Sequence, residues 1–349
     1  MVFSPYGSHW RQIRKICIIE LLSAKRVQSF AHIRQQEAAR LVHRISQSNN
    51  PVDLSSLVAL YANEVLCRMA LGREFSAGGE YHLHGIQALL EEYQILVGTK
   101  SRLVRTFKAF DKLFDQVIAE HLSPQREKLG ESKDLVDVLL DIQRNGSDDK
   151  FPLTMDNVKG IILDMFVAGT DTTFIVLDWG MTELLTHPKA MKRAQDEIRS
   201  IVGERRIVSE SDLSEMLYLK AVVKEVLRLH PPAPVSVPRE TMEDNRGKTQ
   251  KVSSQRFMEI EVDYRGLDFE FIPLGAGRRI CPGISMGIVT IELALAQILH
   301  SFDWELPSGI EAKDLDMTEV FGITMHRKAH LEVVVLQLIH LKLISFPLG

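Results

Sequence analysis

The run from Pro152 to Thr186 reads as one unbroken helix, and it limits the fold more than any other feature of the chain. Pro152 suits a first helical turn. His187-Pro188 ends the run, because proline disfavours helical backbone in the residue before it. At 1.5 Å per residue such a helix is on the order of 50 Å long, enough to cross a whole domain. It is apolar on several faces at Ile161, Ile162, Met165, Phe166 and Val167, so it belongs at the centre with other helices around it. Those others are legible. Apolar residues recur every three or four positions in Ser8–Leu22, Lys25–Ser46, Leu54–Leu71, Lys100–Leu122 and Asp134–Arg144. Pro188 opens a further helix that Gly203 closes, Leu219–Leu229 forms another, and Ile284–Ser301 is the last long one. Leu331–Phe346, interrupted by Gln337, His340 and Lys342, reads as a terminal strand or helix with an irregular tail.

With 349 residues, 45% of them hydrophobic, the chain can bury a large core. Its net charge of −4 and the lack of a basic block argue against a nucleic-acid partner. The three cysteines, Cys17, Cys67 and Cys281, are odd in number and widely spaced, which argues against a disulfide framework or structural zinc. A reducing setting facing the cytosol is expected. The N-terminal residues have no basic head before an apolar run, so no signal peptide is expected. No stretch of about 18 apolar residues is found, so no membrane span is expected either. His82, His84, His187 and His230 are too scattered to form a metal site and read as surface or capping residues.

Four motifs carry chemistry. The first is Leu274-Gly-Ala-Gly-Arg-Arg-Ile-Cys281-Pro-Gly283. A thiolate beneath a haem needs what this loop supplies. Gly275 and Gly277 let backbone approach a flat macrocycle, and Gly283 opens the way into the next helix. Backbone N–H groups and that helix start stabilise a thiolate. Arg279 offers a cation for an anionic propionate. The plain alternative is a small apolar cysteine in a glycine-rich turn.

The second motif is Ala168-Gly169-Thr170-Asp171-Thr172-Thr173 inside the long helix. A mid-helix glycine costs about 1 kcal/mol relative to alanine, so something offsets it, and a planar ligand lying close by is one candidate. Asp171 and Thr172 place a carboxylate and a hydroxyl where a proton could be relayed. Taken alone, the motif fits a helix kink with back-bonded threonines better. The third is Glu225-Val-Leu-Arg228, by itself an ordinary i, i+3 ion pair. In the fourth, Trp10 and Arg14 lie one turn apart and can both reach a carboxylate, although a solvated basic face fits equally well.

Together and in this order, the motifs closely resemble the cytochrome P450 family, in particular the large plant group that modifies small natural products. The resemblance covers the chain from the tryptophan–arginine helix to about Val335. It implies a mainly α fold, the family's helical prism with a small β region, as a single, incomplete domain over residues 1–349. It implies iron protoporphyrin IX (haem b) with Cys281 as axial ligand and Trp10, Arg14, Arg239 and Arg279 holding the propionates. Ala168, Gly169, Gly275 and Gly283 would line the cofactor. Thr172 and Asp171 would deliver protons during dioxygen activation, and Glu225, Arg228 and Arg256 would form a buried structural triad.

The implied activity is a haem-thiolate monooxygenase inserting one oxygen atom from dioxygen into a small apolar natural product. Electrons would come from NADPH through a separate cytochrome P450 reductase. The implied location is the cytosolic face of the endoplasmic reticulum membrane, with the membrane surface as a further partner. Against the family pattern, the anchor, hinge and first helices are absent. Segments are missing near residues 98–100 and 244–254, Ser254-Gln255-Arg256-Phe257 replaces Pro-Glu-Arg-Phe, and Leu274 stands where phenylalanine is usual. The competing expectation is a non-catalytic remnant with weak or no haem binding.

Overall fold

A computed structural model describes residues 1–2, 4–72, 100–123, 133–146, 152–205, 207–234 and 262–337. Among them the helices are α1 (Ser8–Ile16), α2 (Ala24–Ser29), α3 (Ala31–Gln47), α4 (Leu54–Leu71), α5 (Lys100–His121) and α6 (Leu135–Asn145). They continue with α7 (Met155–Thr186), α8 (Pro188–Val202), α9 (Leu217–Leu229) and α10 (Ile284–Ser301). The strands are β1 (Val52–Asp53), β2 (Phe302–Glu305), β3 (Glu319–Phe321), β4 (Met325–Arg327) and β5 (Glu332–Gln337). The mainly α expectation holds.

Where boundaries moved, local chemistry moved them. The long helix begins at Met155 rather than Pro152, because Thr154 and Asn157 cap it reciprocally: each backbone N–H donates to the other side chain at 3.2 Å. Asp134 does the same for α6 with Asp137. Pro188 sits in the first turn of α8, and Gly203, at φ 62°, ends it. The expected Ser8–Leu22 helix keeps α-helical pairing only to Ile16 and then widens to a π-helical turn, Cys17–Leu21. The expected Lys25–Ser46 helix is two, α2 and α3, broken at Phe30. Of Leu331–Phe346, the described part forms β5, and residues 338–346 lie outside the described residues.

The chain divides into two compact units, Met1–Glu37 with Ala59–Asp171, and Ala38–Val58 with Thr172–Gly349. In the first unit, α1 lies beside the start of α7, where His9 Nε2 and Asn157 Nδ2 are 3.3 Å apart. Phe110, Leu113, Phe114 and Val117 of α5 are buried there. In the second unit, β5 is the middle strand of a three-stranded antiparallel sheet ordered β1–β5–β2, with Val52 opposite Val333 and Trp304 opposite Val335. β3 and β4 form a separate hairpin with Glu319 opposite Arg327. The long apolar face of α10, from Ile291 to Leu299, is buried in this unit.

Three helices, α4, α7 and α10, are long and apolar enough to cross a membrane by length and composition, with mean hydropathies of 1.3, 1.6 and 1.5. This corrects the expectation that no segment would qualify. For α4 and α10, 72% of the apolar stretch is buried within the fold, so their apolarity builds core.

Candidate active site

The three cysteines fall into two classes. Cys17 is 2% exposed, and burial pushes its thiol up to about 12, which suppresses the thiolate. Cys67 is 1% exposed, with its thiol directed at Asn63 Oδ1 at 3.4 Å. Cys281 alone is half-buried, in the glycine-rich loop just before α10.

That loop is shaped by backbone bonds. Gly275 N–H donates to Ile272 at 3.0 Å, Ile280 N–H to Gly277 at 3.1 Å and Cys281 N–H to Leu274 at 2.9 Å. Gly275 and Gly277 take φ values of 74° and 63°, a region that residues with a Cβ adopt at a cost. A Cβ built on Gly283 would lie 3.8 Å from the Cys281 sulfur. The donor set fits a haem-thiolate centre: a half-exposed thiol, a glycine backbone on either side of it and Arg279 two residues away.

Sequence reasoning passed over Gly266. It is buried, with φ 78°, and a Cβ there would meet Gly275 O, Ala276 Cα and the Ile280 side chain, each at 3.0 Å. Two of those three atoms are backbone, so any side chain at 266 displaces the cysteine loop itself. The signal available in sequence was a glycine between Arg265 and Leu267 just upstream of the loop. The segment is tied to α9 by Lys224 Nζ, which donates to Val262 O at 3.3 Å and lies 3.8 Å from Asp263.

Beneath it, Glu292 of α10 is 7% exposed, and burial pushes its carboxyl up to about 7 against the partial counter-pull of Lys220 and Lys224. A carboxyl raised in the folded state favours folding most while it is protonated. That favour is lost as pH climbs from the ordinary 4.5 through about 7. Glu292→Gln is therefore expected to gain on the parent protein between pH 5 and 8, by on the order of 3 kcal/mol in urea unfolding. A difference that stays flat with pH would remove Glu292 as the source.

In the first unit, Trp10 is 4% exposed with the Arg14 guanidinium 5.5 Å from its ring centroid, so α1 brings these two predicted residues together. Ala168 and Gly169 lie on α7. A Cβ on Gly169 would meet Leu66 Cδ2 of α4 at 3.2 Å. Close helix packing thus offsets the glycine's helical cost, a reason distinct from the planar ligand expected from sequence. Asp171 is the last residue of this unit and Thr172, next on α7, belongs to the other; both side chains are half-buried.

Glu225 and Arg228 form the expected pair with two bonds, at 2.8 and 2.6 Å. The glutamate side chain keeps 42% of its exposure, less buried than expected. Arg239 and Arg256 lie outside the described residues, as do His82 and His84.

Comparison with known proteins gives one consistent result. The family model described as Cytochrome P450 matches residues 1–246 and 248–331. The chain is similar to cytochrome P450 71AP13 of Prunus mume, 57% identical and covering 96% of this chain and 74% of that protein. It is 40% identical to phenylacetaldehyde oxime monooxygenase CYP71AN24, also of Prunus mume, over 96% and 73% of the two chains. Among solved structures, a zebrafish cytochrome P450 with abiraterone superposes at TM-score 0.78, with 25% identity, covering 96% of this chain and 84% of that one. The match to 71AP13 runs over 380 positions against 349 residues here, so that relative carries residues inside the matched stretch without counterparts in this chain.

Proposed function

The chain belongs to the cytochrome P450 family, haem-dependent monooxygenases fed with electrons by a redox partner, and from that premise we propose that it oxygenates a small apolar plant natural product. The observation that carries this reading is Cys281, the one half-exposed thiol of three, held in a loop that the positive-φ glycines 275 and 277 shape. The substrate class rests on the plant relatives, one of which is named for acting on phenylacetaldehyde oxime.

In this reading Cys281 would ligate the iron, and Trp10, Arg14, Arg239 and Arg279 would hold the propionates by charge and hydrogen bonding. By the family resemblance, Gly275, Gly283, Ala168 and Gly169 would line the cofactor. The haem, when bound, supplies the redox iron whose reactivity the thiolate tunes. Thr172 holds a proton at its hydroxyl, and Asp171 resupplies it. The electron donor is an NADPH-dependent cytochrome P450 reductase, met at the cytosolic face of the endoplasmic reticulum. The segments absent relative to the family fall near 98–100 and 244–254, which lie almost wholly outside the described residues.

The test is spectroscopic. Loaded with haem, reduced and exposed to carbon monoxide, the chain is expected to show the strongly red-shifted Soret band of thiolate ligation. Failure to take up haem would identify a non-catalytic remnant instead. For Thr172→Ala, with any substrate that perturbs the haem spectrum, we expect NADPH oxidation to continue while product per NADPH falls roughly tenfold or more, the balance leaving as hydrogen peroxide. Unchanged coupling would remove Thr172 from proton delivery.

A further inference from the structure

Asn145 is the last residue of α6 and Gly146 follows it; of the chain's six asparagines, this one alone precedes a glycine. The side-chain amide of an asparagine is open to attack by the backbone nitrogen of the next residue. That attack needs the nitrogen free of its hydrogen bond, no Cβ in the way and space for a five-membered ring. Asn145 and Gly146 meet all three conditions.

In a continuing helix the Gly146 N–H would donate four residues back, to Ile142 O. The backbone turns away instead, with Gly146 at φ 71° and ψ 128°. Among the described residues, neither this N–H nor the Asn145 side chain has a hydrogen-bond partner. The end of α8 is built the other way, with Gly203 N–H donating to Arg199 O at 2.9 Å. A Cβ on Gly146 would find nothing within 4 Å, so there is room for the ring. Both residues are exposed, and both line a cleft of about 350 Å³ shared with Gln12 and Lys15 of α1.

The other asparagines lack this combination. Asn157 is held in its cap by Thr154, and the next N–H, that of Val158, donates to Thr154 O at 3.1 Å. Asn63 lies within α4 and is fully buried. Asn50 precedes Pro51, which has no N–H, and its side chain is taken by the Val335 backbone at 2.9 and 3.2 Å. Asn49 precedes Asn50, whose Cβ crowds the attack. Asn245 lies outside the described residues.

We propose that Asn145–Gly146 is a self-modification site, at which the chain deamidates without an enzyme and so loosens the end of α6. The Gly146 nitrogen bonds to Asn145 Cγ and the Cγ–Nδ2 bond breaks. The amide nitrogen leaves as ammonia, with the proton that the backbone nitrogen gives up. Water then opens the cyclic imide, at Cγ to give aspartate or at the backbone carbonyl to give isoaspartate. Either product places a carboxylate in the last turn of α6. There it meets the negative end of the helix dipole and Asp141 one turn earlier, and isoaspartate also adds a methylene to the backbone.

The test is to incubate the haem-loaded full chain at neutral pH and physiological temperature. It is then digested in acid and mapped by electron-transfer fragmentation, which separates aspartate from isoaspartate. Asn145 is expected to convert roughly tenfold or more faster than Asn157 or Asn63, whose following N–H groups are released only when their helices open. An isoaspartate-specific methyltransferase should label the aged chain. Asn145→Gln, a conservative change at an exposed position whose side chain would have to close a larger ring, should remove that label. In hydrogen exchange, the aged chain and Asn145→Asp should both release the last-turn amides of α6 roughly threefold faster than the fresh chain. Conversion of Asn145 no faster than that of Asn157 overturns the site, as does labelling of Asn145→Gln that equals the parent's. Unchanged exchange at the end of α6 in the aged chain and in Asn145→Asp overturns the loosening.

Discussion

Cys281→Ser is expected to eliminate the red-shifted band of the reduced, carbon-monoxide-treated protein and to take product formation to background. The reason is chemical. A serine hydroxyl does not ionise near neutral pH, so the electron-donating anionic ligand is lost, and with it the property that makes thiolate haem an oxygenating centre. Neither remaining thiol can substitute. Cys17 and Cys67 are 2% and 1% exposed, and burial pushes the Cys17 thiol up to about 12. The variant should fold, because the bond that shapes the loop runs from the Cys281 backbone N–H to Leu274, and the positive-φ turns belong to Gly275 and Gly277. Circular dichroism should therefore match the parent protein while the band is gone. Persistence of the band in this variant would falsify the ligand assignment.

Arg327→Met is expected to cost about 3–5 kcal/mol of stability. Arg327 and Asp178 have side chains only 2% exposed and lie 3.7 Å apart. The arginine also donates to Thr182 Oγ1 at 2.9 Å and to Asp316 O at 3.2 Å. Asp178 accepts the Ser55 hydroxyl at 2.5 Å, and that hydroxyl in turn accepts the Leu331 N–H at 2.7 Å. Four segments of the second unit thus meet on one buried charge pair: the start of α4, the middle of α7, β4 and the lead into β5.

Removing the cation leaves a carboxylate that burial already holds above its usual range. It then takes up a proton, and the penalty grows as pH rises. Adding Asp178→Asn should recover much of the loss, since a neutral amide has no charge to strand. Urea unfolding of the two single variants and the double variant settles the matter. A loss under about 1 kcal/mol for Arg327→Met, or a double variant no better than the single, sinks the assignment.

Most helices were legible because their signals are local. Pro188 and Gly203 bound α8, Leu54–Leu71 stands as read, and the run ending at His187-Pro188 is the 32-residue α7. The Cys281 loop was legible for a related reason: its glycines, arginine and cysteine lie within ten consecutive positions. The π turn at Cys17–Leu21 was hidden, since its apolar spacing is also that of an α-helix.

Contacts that bridge distant positions had no local signature. Gly266 looks like any loop glycine until it is found beneath Gly275 and Ala276. Nothing around Ser55, Asp178 or Arg327 announces that they meet across gaps of 123 and 149 positions. The stack of His230 on Trp179 is equally silent in sequence.

The amino-acid order alone determined the helical class, the thiol-bearing loop and the family, because propensity, capping and motif chemistry act over a few residues. Tertiary structure alone decided which thiols are buried, which carboxyls are pushed up, and which charges share a site. Those outcomes depend on solvent exclusion and on neighbours brought from far along the chain, and a local pattern carries neither.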